Sequence, residues 1–363
     1  MKVLIVTDLY PLNEHHKGIA RTIENFALAL RDLGHKIYVL RADLVPNSFL
    51  RGRMPYKQGH YTSSGIEIYN QNFILPFYFS PKIPDDFDVI ISHMPSGTLC
   101  AQKVKKKFNR PFMAVAHSSD IEVLKKYKIY FSSALKHALN CADIVAARSF
   151  WIKKELKNYI DKEIALVPSG IKKSEVLNED RALVKFDNIN EIKIVCIASL
   201  IKRKNLMPLI EAINELQECN ISLKIFGCGP LEKKLKKKAK NEKIKFLGHR
   251  AQGEIFDALS EAHIFILPSL RETFGLSYLE ALAKGCITIC SNNSGMSGYI
   301  TDNKNGFIIV PTKDGIKNII KKIAAKNPNE LKEISKNALK LASELEYYKC
   351  AKKYLDNIKN LCK

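Results

Sequence analysis

KVLIVTDLY, residues 2–10, begins with an apolar run, Val3 to Val6, that does not alternate and stops at Thr7 and Asp8. A strand with one wet face alternates, whereas a strand covered on both faces reads as a continuous apolar run. The loop PLNEHHKG (11–18) follows. ARTIENFALALRDLG (20–34) then places Ile23, Phe26, Ala27 and Leu30 at the helical period and stops at Gly34. KIYVLRA (36–42) is a second strand. Strand, helix and strand at this spacing predict a parallel pair joined by a right-handed crossover. The loop ending at Gly18 then lies at the carboxyl end of a strand, where open α/β sheets bind ligands.

The same unit recurs. DVIISH (88–93), FMAVAHS (112–118), DIVAARS (143–149) and EIALVPSG (163–170) read as strands with helical patterns between them. IKKSEVLNEDRALVKFDNIN (171–190) breaks the pattern and reads as a polar boundary. A second cycle starts with EIKIVCIASL (191–200) and continues through ISLKIFGCGP, KIKFLGH, HIFILPS and CITICS, again with helices between. Repeated βαβ units predict an α/β fold of two doubly wound parallel-sheet domains. The expected division is a first domain over 1–170, a linker over 171–190, a second domain over 191–345 and a C-terminal helix over 346–363 that packs back toward the first domain.

A chain of 363 residues suits two such domains. No apolar run approaches the roughly 20 residues of a membrane span. The start, MKVLIVTDLYP, is interrupted by Asp8 and reads as a strand instead of a signal peptide, so the expected location is cytoplasmic. The nine cysteines are scattered without a CxxC pair, and Cys286 and Cys290 read as reduced core residues. The net charge of +21 points to an anionic partner: phosphorylated small molecules, an acidic membrane surface or nucleic acid. It gathers in KVKKKFNR (103–110), IKRKN (201–205) and LEKKLKKKAKNEK (231–243). The last has Leu231, Leu235 and Ala239 at helical spacing and reads equally as a solvated helix face.

RETFGLSYLE (271–280) carries Glu272 and Glu280 between the apolar HIFILP and a helical pattern. Its first half is a βα loop at the carboxyl edge of a sheet, and the unsatisfied N–H groups of a helix start there suit a phosphate or a sugar hydroxyl. Glu272 would project from the loop, and Glu280 would accept from a ribose diol. The alternative is a capping glutamate beside a solvated one. A hydrolytic carboxylate pair fits less well: positions this far apart on a helix are separated by about 12 Å, beyond the roughly 5–9.5 Å that such pairs use. Arg203 and Lys204 follow a strand of the second domain, where cations can neutralise a departing diphosphate without a metal. His117 and Asp120, in VAHSSDI, end a strand of the first domain, where a histidine can bond a sugar hydroxyl or be structural. Asp86 and Asp88 imitate a metal-binding DxD but precede their strand. No GxGxxG and no P-loop occurs.

Together these segments resemble the retaining glycosyltransferases of family 4 over nearly the whole chain, most densely over 191–310. SLRETFGLSYLEALAKG is similar to that family's Glu-x7-Glu signature, ASLIKRKN to its diphosphate loop, FGCGP to its glycine turn, FLGHR to its nucleobase loop, HHKG to its N-terminal loop and AHSSD to its His-x-x-Asp segment. The resemblance implies the GT-B fold, two facing Rossmann-like domains with a cleft between them, the first binding acceptor and the second the nucleotide sugar. It implies that Glu272 contacts the donor sugar, with the backbone of Thr273, Phe274, Gly275 and Leu276 holding sugar and phosphate. It assigns Glu280 to the ribose, Arg203 and Lys204 to the diphosphate, His117 to the sugar, the backbone of Arg250 to the base, and Gly18 to the approach of the N-terminal loop. Ala198-Ser199-Leu200 stands where the family often has Gly-Arg-Leu, Lys17-Gly18 where it has Gly-Gly, and Ser297-Gly298 where it has Pro-Glu.

The expected reaction is metal-independent transfer, with retention, of a hexose or N-acetylhexosamine from a nucleoside diphosphate sugar, UDP-sugars first, to a hydroxyl. The resemblance implies front-face attack, the acceptor proton passing to the departing phosphate. No cofactor is expected beyond the nucleotide sugar as co-substrate. The expected acceptor is a glycan, in its lipid-linked form if KVKKKFNR and FILPFYF (73–79) form a peripheral membrane face, FILPFYF being equally readable as core. The residues near 171–190 and the C-terminal helix are the expected hinge. Two alternatives stand beside this: a basic nucleic-acid-binding protein with steeply salt-dependent affinity, which leaves Glu272 and Glu280 unexplained, and a non-transferase GT-B protein such as a sugar-nucleotide epimerase.

Overall fold

The computed structural model describes residues 1–10, 18–44, 57–73, 82–126 and 130–359. Of the stretches singled out above, His15, His16 and Lys17 of HHKG, and FILPFYF beyond Phe73, lie outside the described residues. The chain divides into two compact units, Met1–Gly170 with Tyr347–Lys363, and Ile171–Glu346.

The first unit is built from β1 (Lys2–Thr7), α1 (Ile19–Asp32), β2 (Lys36–Leu44), β3 (Gly59–Ser63), β4 (Ile66–Phe73), β5 (Val89–His93), α2 (Met94–Phe108), β6 (Phe112–Ala116), α3 (Ser118–Lys126), α4 (Phe131–Cys141), β7 (Ile144–Ala147), α5 (Phe150–Leu156) and β8 (Ile164–Leu166). The sheet order is β3-β4-β2-β1-β5-β6-β7-β8, parallel except for the antiparallel β3–β4 pair. The uninterrupted apolar run of β1 is explained by cover on both faces. Leu4 and Val6 join the core cluster that holds Val104, Leu135 and Ile152, while Val3 and Ile5 join the one that holds Ile23, Phe26 and Leu30. The chain turns back between β1 and β5, which makes their carboxyl ends the switch point of this sheet.

Asp86 and Asp88 fasten the start of β1. Asp88 accepts from the Lys2 backbone N–H at 2.7 Å, and Asp86 accepts from Lys2 Nζ at 2.6 Å and from the Tyr38 hydroxyl at 2.8 Å. Lys105, Lys106 and Lys107 of KVKKKFNR lie in the last turn of α2, which favours cations. Lys105 bonds the Cys141 carbonyl and pairs with Asp143. Because α2 runs back from the end of β5 toward the start of β6, this cluster lies at the amino edge of the sheet, away from His117.

The second unit comprises α6 (Glu179–Leu183), β9 (Ile192–Ile197), α7 (Leu206–Glu215), β10 (Ile221–Phe226), α8 (Glu232–Lys238), β11 (Ile244–Gly248), α9 (Gln252–Glu261), β12 (Ile264–Leu267), α10 (Leu276–Ala283), β13 (Ile287–Ser291), β14 (Phe307–Ile309), α11 (Lys313–Ala324) and α12 (Pro328–Glu344). Its parallel sheet runs β11-β10-β9-β12-β13-β14, with the switch point between β9 and β12. In α8 only Leu235 is buried, so its lysines form the solvated face that the spacing allows.

Residues 171–190, expected as a linker, fold onto the second unit. Ile171, Ala182 and Phe186 are buried in it, Leu177 N–H donates to the Ala283 carbonyl at 2.8 Å, and Lys185 Nζ bonds the Lys284 carbonyl at 2.8 Å. Single apolar anchors in a polar stretch secure it without producing a periodic pattern. The last helix, α13 (Tyr347–Lys359), belongs to the first unit, where Tyr347, Ala351, Tyr354, Leu355 and Ile358 share the apolar cluster of α1. Among the described residues no helix is long and apolar enough to cross a membrane.

Candidate functional site

In the second unit, the loops after β9 and β12 flank the switch point, and they carry Arg203, Lys204 and Glu272. The first makes a 3-10 turn over Lys202–Lys204 and leaves it through Asn205 in the left-handed region, φ 54°. The Leu270 N–H donates to the Arg203 carbonyl at 2.9 Å, and Arg203 Nη1 donates to the Arg271 carbonyl at 2.7 Å, so the loops are tied to each other. Glu272 lies between them. Its side chain is 11% exposed, its Oε2 accepts from Lys204 Nζ, and Arg203 Nη1 stands 3.5 Å away. The Ser269 hydroxyl adds a longer contact at 3.4 Å. Burial on its own pushes this carboxyl up; the charge of Lys204, then that of Arg203, overcomes burial and holds it below the usual carboxylate range.

The rest of RETFG is shaped by backbone needs. Gly275 has φ 87°, and a Cβ there would meet the Tyr278 ring at 2.5 Å, so glycine is required on both counts. Gly275 caps α10 without a side-chain bond. Thr273 and Phe274 are buried, with Phe274 edge-on to Tyr299. Leu276 opens the helix, and Glu280 lies half-buried one turn further in. Glu272 and Glu280 therefore occupy different settings, a cation-lined loop and a helix flank.

The glycine turn lies on the cation loop. Leu200 N–H donates to the Cys228 carbonyl at 2.9 Å, and a Cβ at Gly227 would fall 2.0 Å from the Ala198 carbonyl oxygen. Gly227 N–H donates to the Gly248 carbonyl at 2.7 Å, which brings FLGHR alongside. The Arg250 side chain folds back onto its own turn, with Nε 3.0 Å from the Leu247 carbonyl and Nη1 3.4 Å from Glu254.

His117 and Gly18 belong to the first unit. Gly18 is the residue before α1, at φ 73°, and its carbonyl accepts from Thr22 N–H at 3.0 Å. His117 directly follows β6 and is fully buried, its Nε2 3.1 Å from Nδ1 of His93 at the end of β5. Burial, with the positive charge of Arg148, holds both imidazoles well below the usual histidine range, so both are neutral at pH 7. Arg148 is itself buried and bonded to the Tyr354 hydroxyl of α13 and to the Ser169 hydroxyl.

Asp120, in the first turn of α3, accepts the His117 backbone N–H at 2.8 Å. Burial pushes its carboxyl up to about 7. Between about pH 4 and 7 the folded chain therefore keeps a proton that the unfolded chain has lost. Its contribution to stability is full below the unfolded value and is lost as pH rises through about 7. Asp120→Asn keeps an acceptor for His117 and removes the titration, while the other carboxylates cancel in the comparison. The variant's stability advantage over wild type should widen by roughly 2–3 kcal/mol from pH 5 to pH 8. Denaturant melts of both proteins in both buffers measure it, and a gap independent of pH would refute the assignment.

Sequence reasoning did not single out His93, Ser269, Arg148 or Gly295. His93 carried a readable signal, since it ends DVIISH on a strand next to the switch point. Gly295 carried none: a Cβ there would fall 2.3 Å from the Thr273 carbonyl oxygen, a contact between loops distant in sequence.

The family model described as "Glycosyl transferases group 1" matches residues 181–341, and the one described as "Glycosyltransferase Family 4" matches residues 16–175. The uncharacterized glycosyltransferase MJ1178 of Methanocaldococcus jannaschii is 24% identical over 92% of this chain and 87% of its own length. The alpha-monoglucosyldiacylglycerol synthase of Acholeplasma laidlawii is 28% identical over 61% of this chain and 60% of its own. Among solved structures, sucrose-phosphate synthase from Thermosynechococcus elongatus superposes with a TM-score of 0.78 at 16% identity, over 99% of this chain and 98% of that one. Anabaena Alr3699/HepE in complex with UDP-glucose superposes with a TM-score of 0.70 at 16% identity, over 99% of this chain and 100% of that one. At these identities the structural likeness speaks for the fold, two parallel-sheet α/β domains of the GT-B type.

Proposed function

The chain belongs to the family 4, group 1 glycosyltransferases, and on that premise we propose that it transfers a hexose or N-acetylhexosamine, with retention, from a UDP-sugar to a hydroxyl of a lipid-linked glycan, in the building of a surface polysaccharide or glycoconjugate. The observation that carries this reading is Glu272 held by Lys204 and Arg203 at the β9/β12 switch point.

The two cations suit a diphosphate as well as a carboxylate, so donor and Glu272 draw on the same charges. When the diphosphate engages them, Glu272 is released toward the sugar hydroxyls, which a buried carboxylate accepts strongly. As the bond from the anomeric carbon to the phosphate oxygen breaks, negative charge grows on that oxygen beside Arg203, Lys204 and the uncapped start of α10. Each well-placed donor of this kind contributes about 3–4 kcal/mol in other enzymes. The acceptor oxygen bonds to the anomeric carbon from the same face, and its proton moves to the departing phosphate. In this reading the paired side chains supply the charge that a metal would otherwise bring, and no resident cofactor is needed. Thr273, Phe274, Gly275 and Leu276 hold sugar and phosphate through their backbone, Glu280 takes the ribose, the backbone of Arg250 the base, and His117 the sugar. Gly18 gives the N-terminal loop its close approach. The lipid-linked acceptor is supported by the +21 charge and by a relative whose name is that of a glucosyldiacylglycerol synthase.

A melting-temperature screen against UDP-glucose, UDP-N-acetylglucosamine, their GDP counterparts and UDP tests the donor class. A ligand at about 100 times its Kd adds about 2.7 kcal/mol, which for domains of this size raises Tm by roughly 5–10 °C. UDP-sugars should give the largest rise, and a flat response to every nucleotide would remove the donor reading.

A further inference from the structure

Residues 233–240, KKLKKKAK, hold six lysines and no acidic residue. They make up most of α8, which joins β10 to the edge strand β11, and the turn after it. Lys233 and Lys237 lie on the side of the helix opposite Leu235, its one buried residue, with Lys234 beside them. Those three and Lys240 are exposed and form no ion pair among the described residues, while Lys236 and Lys238 pair with Glu232 and Glu211 at 2.7 and 3.2 Å. Elsewhere in the same unit lysines stand against acids. On α11, Lys313 and Lys317 share Glu215 at 2.7 and 2.9 Å, and Lys321 pairs with Glu218 at 2.6 Å. On α12, Lys336 pairs with Glu179 at 3.5 Å.

Local structure does not account for this charge. A helix favours cations in its last turn and anions in its first. Lys236, Lys237 and Lys238 suit their places, while Lys233 and Lys234, in the first turn, do not. Lys233 with Lys237, and Lys234 with Lys238, are like charges four positions apart, a spacing that weakens a helix. Lys233, Lys234 and Lys237 thus cost the helix stability and neutralise no acid among the described residues, which suits an anionic partner from outside. The chemistry of the face favours a lipid surface over a nucleic acid. It is all lysine, whose compact ammonium needs no fixed partner geometry, and it carries neither the arginine forks nor the exposed rings that grip and stack nucleotides. The Phe246 ring of β11 is half-buried and lies under Lys236, with Nζ 5.9 Å from its centroid.

We propose that the lysine face of α8 docks on a membrane surface of anionic phospholipid headgroups. It holds by charge alone and does not insert, because the apolar side of the helix, Leu235, is already packed inward. The helix starts at the glycine turn: Leu231 N–H donates to the Leu200 carbonyl and Glu232 N–H to the Gly229 carbonyl, both at 3.0 Å. Docking there keeps the carboxyl edge of the second sheet beside the headgroups, within reach of a lipid-linked acceptor. That last consequence rests on the proposed function; the docking does not. The membrane contact then belongs to the second unit instead of to KVKKKFNR, whose Lys105, Lys106 and Lys107 sit where a helix end favours them.

Sedimentation of the full chain with vesicles, without sugar nucleotide or acceptor, tests the docking in about 0.1 M and about 1 M salt, where charges are screened beyond about 10 Å and about 3 Å. The chain should bind phosphatidylcholine vesicles containing about a third phosphatidylglycerol in the low salt, ignore pure phosphatidylcholine and come off in the high salt. Each lysine at such a surface tightens binding about fivefold, so Lys233→Gln/Lys234→Gln/Lys237→Gln should weaken it about 100-fold. Lys313→Gln/Lys317→Gln/Lys321→Gln makes the same change in net charge on a face whose lysines are already paired, and should weaken it less than about fivefold. Glutamine matches lysine in helix propensity and removes the repulsion, so the first variant should melt at or above wild type. Binding that ignores phosphatidylglycerol, or an equal loss in the two variants, overturns the proposal. So does single-stranded RNA bound more tightly than the vesicles in the same salt, with the same dependence on Lys233, Lys234 and Lys237, since the face would then serve nucleic acid. No donor takes part, so a flat response to nucleotides in the melting screen would remove the donor reading and leave the docking standing.

Discussion

Replacing Glu272 by alanine is expected to lower kcat/KM by about 10³-fold or more and to destabilise the fold by roughly 3 kcal/mol. The two losses have different origins. Stability falls because the Lys204 side chain, 13% exposed, keeps its charge in a buried place after its partner has gone. Arg203 contributes less, since it is 36% exposed and bonded to the Arg271 carbonyl. Activity falls because the carboxylate that would hold the sugar hydroxyls is missing when charge develops on the leaving oxygen. A second substitution separates the two. Lys204→Met in the Glu272→Ala background removes the orphaned ammonium and should recover most of the lost stability, while activity stays at the floor or drops further. Glu272→Gln, which keeps the volume and one acceptor for Lys204 but not the charge, should lose less stability than Glu272→Ala and still lose most of its rate. Steady-state kinetics and denaturant melts on the four proteins supply the test. A Glu272→Ala enzyme within about tenfold of wild type would reduce Glu272 to a structural partner of Lys204.

The sheets were readable because their strands are covered on both faces. β1 and β12 show as unbroken apolar runs and β9 and β13 as runs interrupted by Lys193 and Thr288, and the loops after β9 and β12 could be placed at a carboxyl edge from the order of elements alone. The hairpin of β3 and β4 was missed because β3 is an exposed edge strand, GHYTS, with no buried side chain to mark it. The helical period of α13 showed one apolar face but could not say which sheet that face covers. Within the site, RETFG and IKRKN were found as separate stretches. Their ion pair was not, because pairing depends on which two strands flank the switch point, and strand order is set by packing between units distant in sequence. The His93–His117 bond was hidden for the same reason: strand-end position is legible one strand at a time, while register between β5 and β6 is not. Residues 171–190 read as a linker in sequence because Ile171, Ala182 and Phe186 are buried singly, without a period to reveal a face.

Gly295→Ala should cost far more in activity than in stability. Gly295 is buried in the turn after β13, and its backbone rests on the backbone of the RETFG loop. A Cβ there would fall 2.3 Å from the Thr273 carbonyl oxygen and 2.6 Å from the Phe274 Cα. These neighbours are main-chain atoms, which cannot swing aside as a flexible side chain can. One loop must move, and the segment between Ser269 and Gly275 bears the contact. Overpacking of this kind typically costs about 1–3 kcal/mol, which a domain of this size can absorb and remain folded. The displacement reaches Glu272 through Thr273, however, and a shift near 1 Å at a positioning residue can cost about 100-fold in rate. The expected result is a folded protein, its Tm lowered by several degrees, with kcat/KM reduced about 100-fold. Gly253→Ala is the control. It lies inside α9 with no described atom within 4 Å of the new methyl, so it should gain about 0.5–1 kcal/mol and leave the kinetics alone. If Gly295→Ala lost activity only in proportion to the fraction unfolded, the turn after β13 would be a packing element, and the shape of the RETFG loop would have to be set by Gly275 and Tyr278 alone.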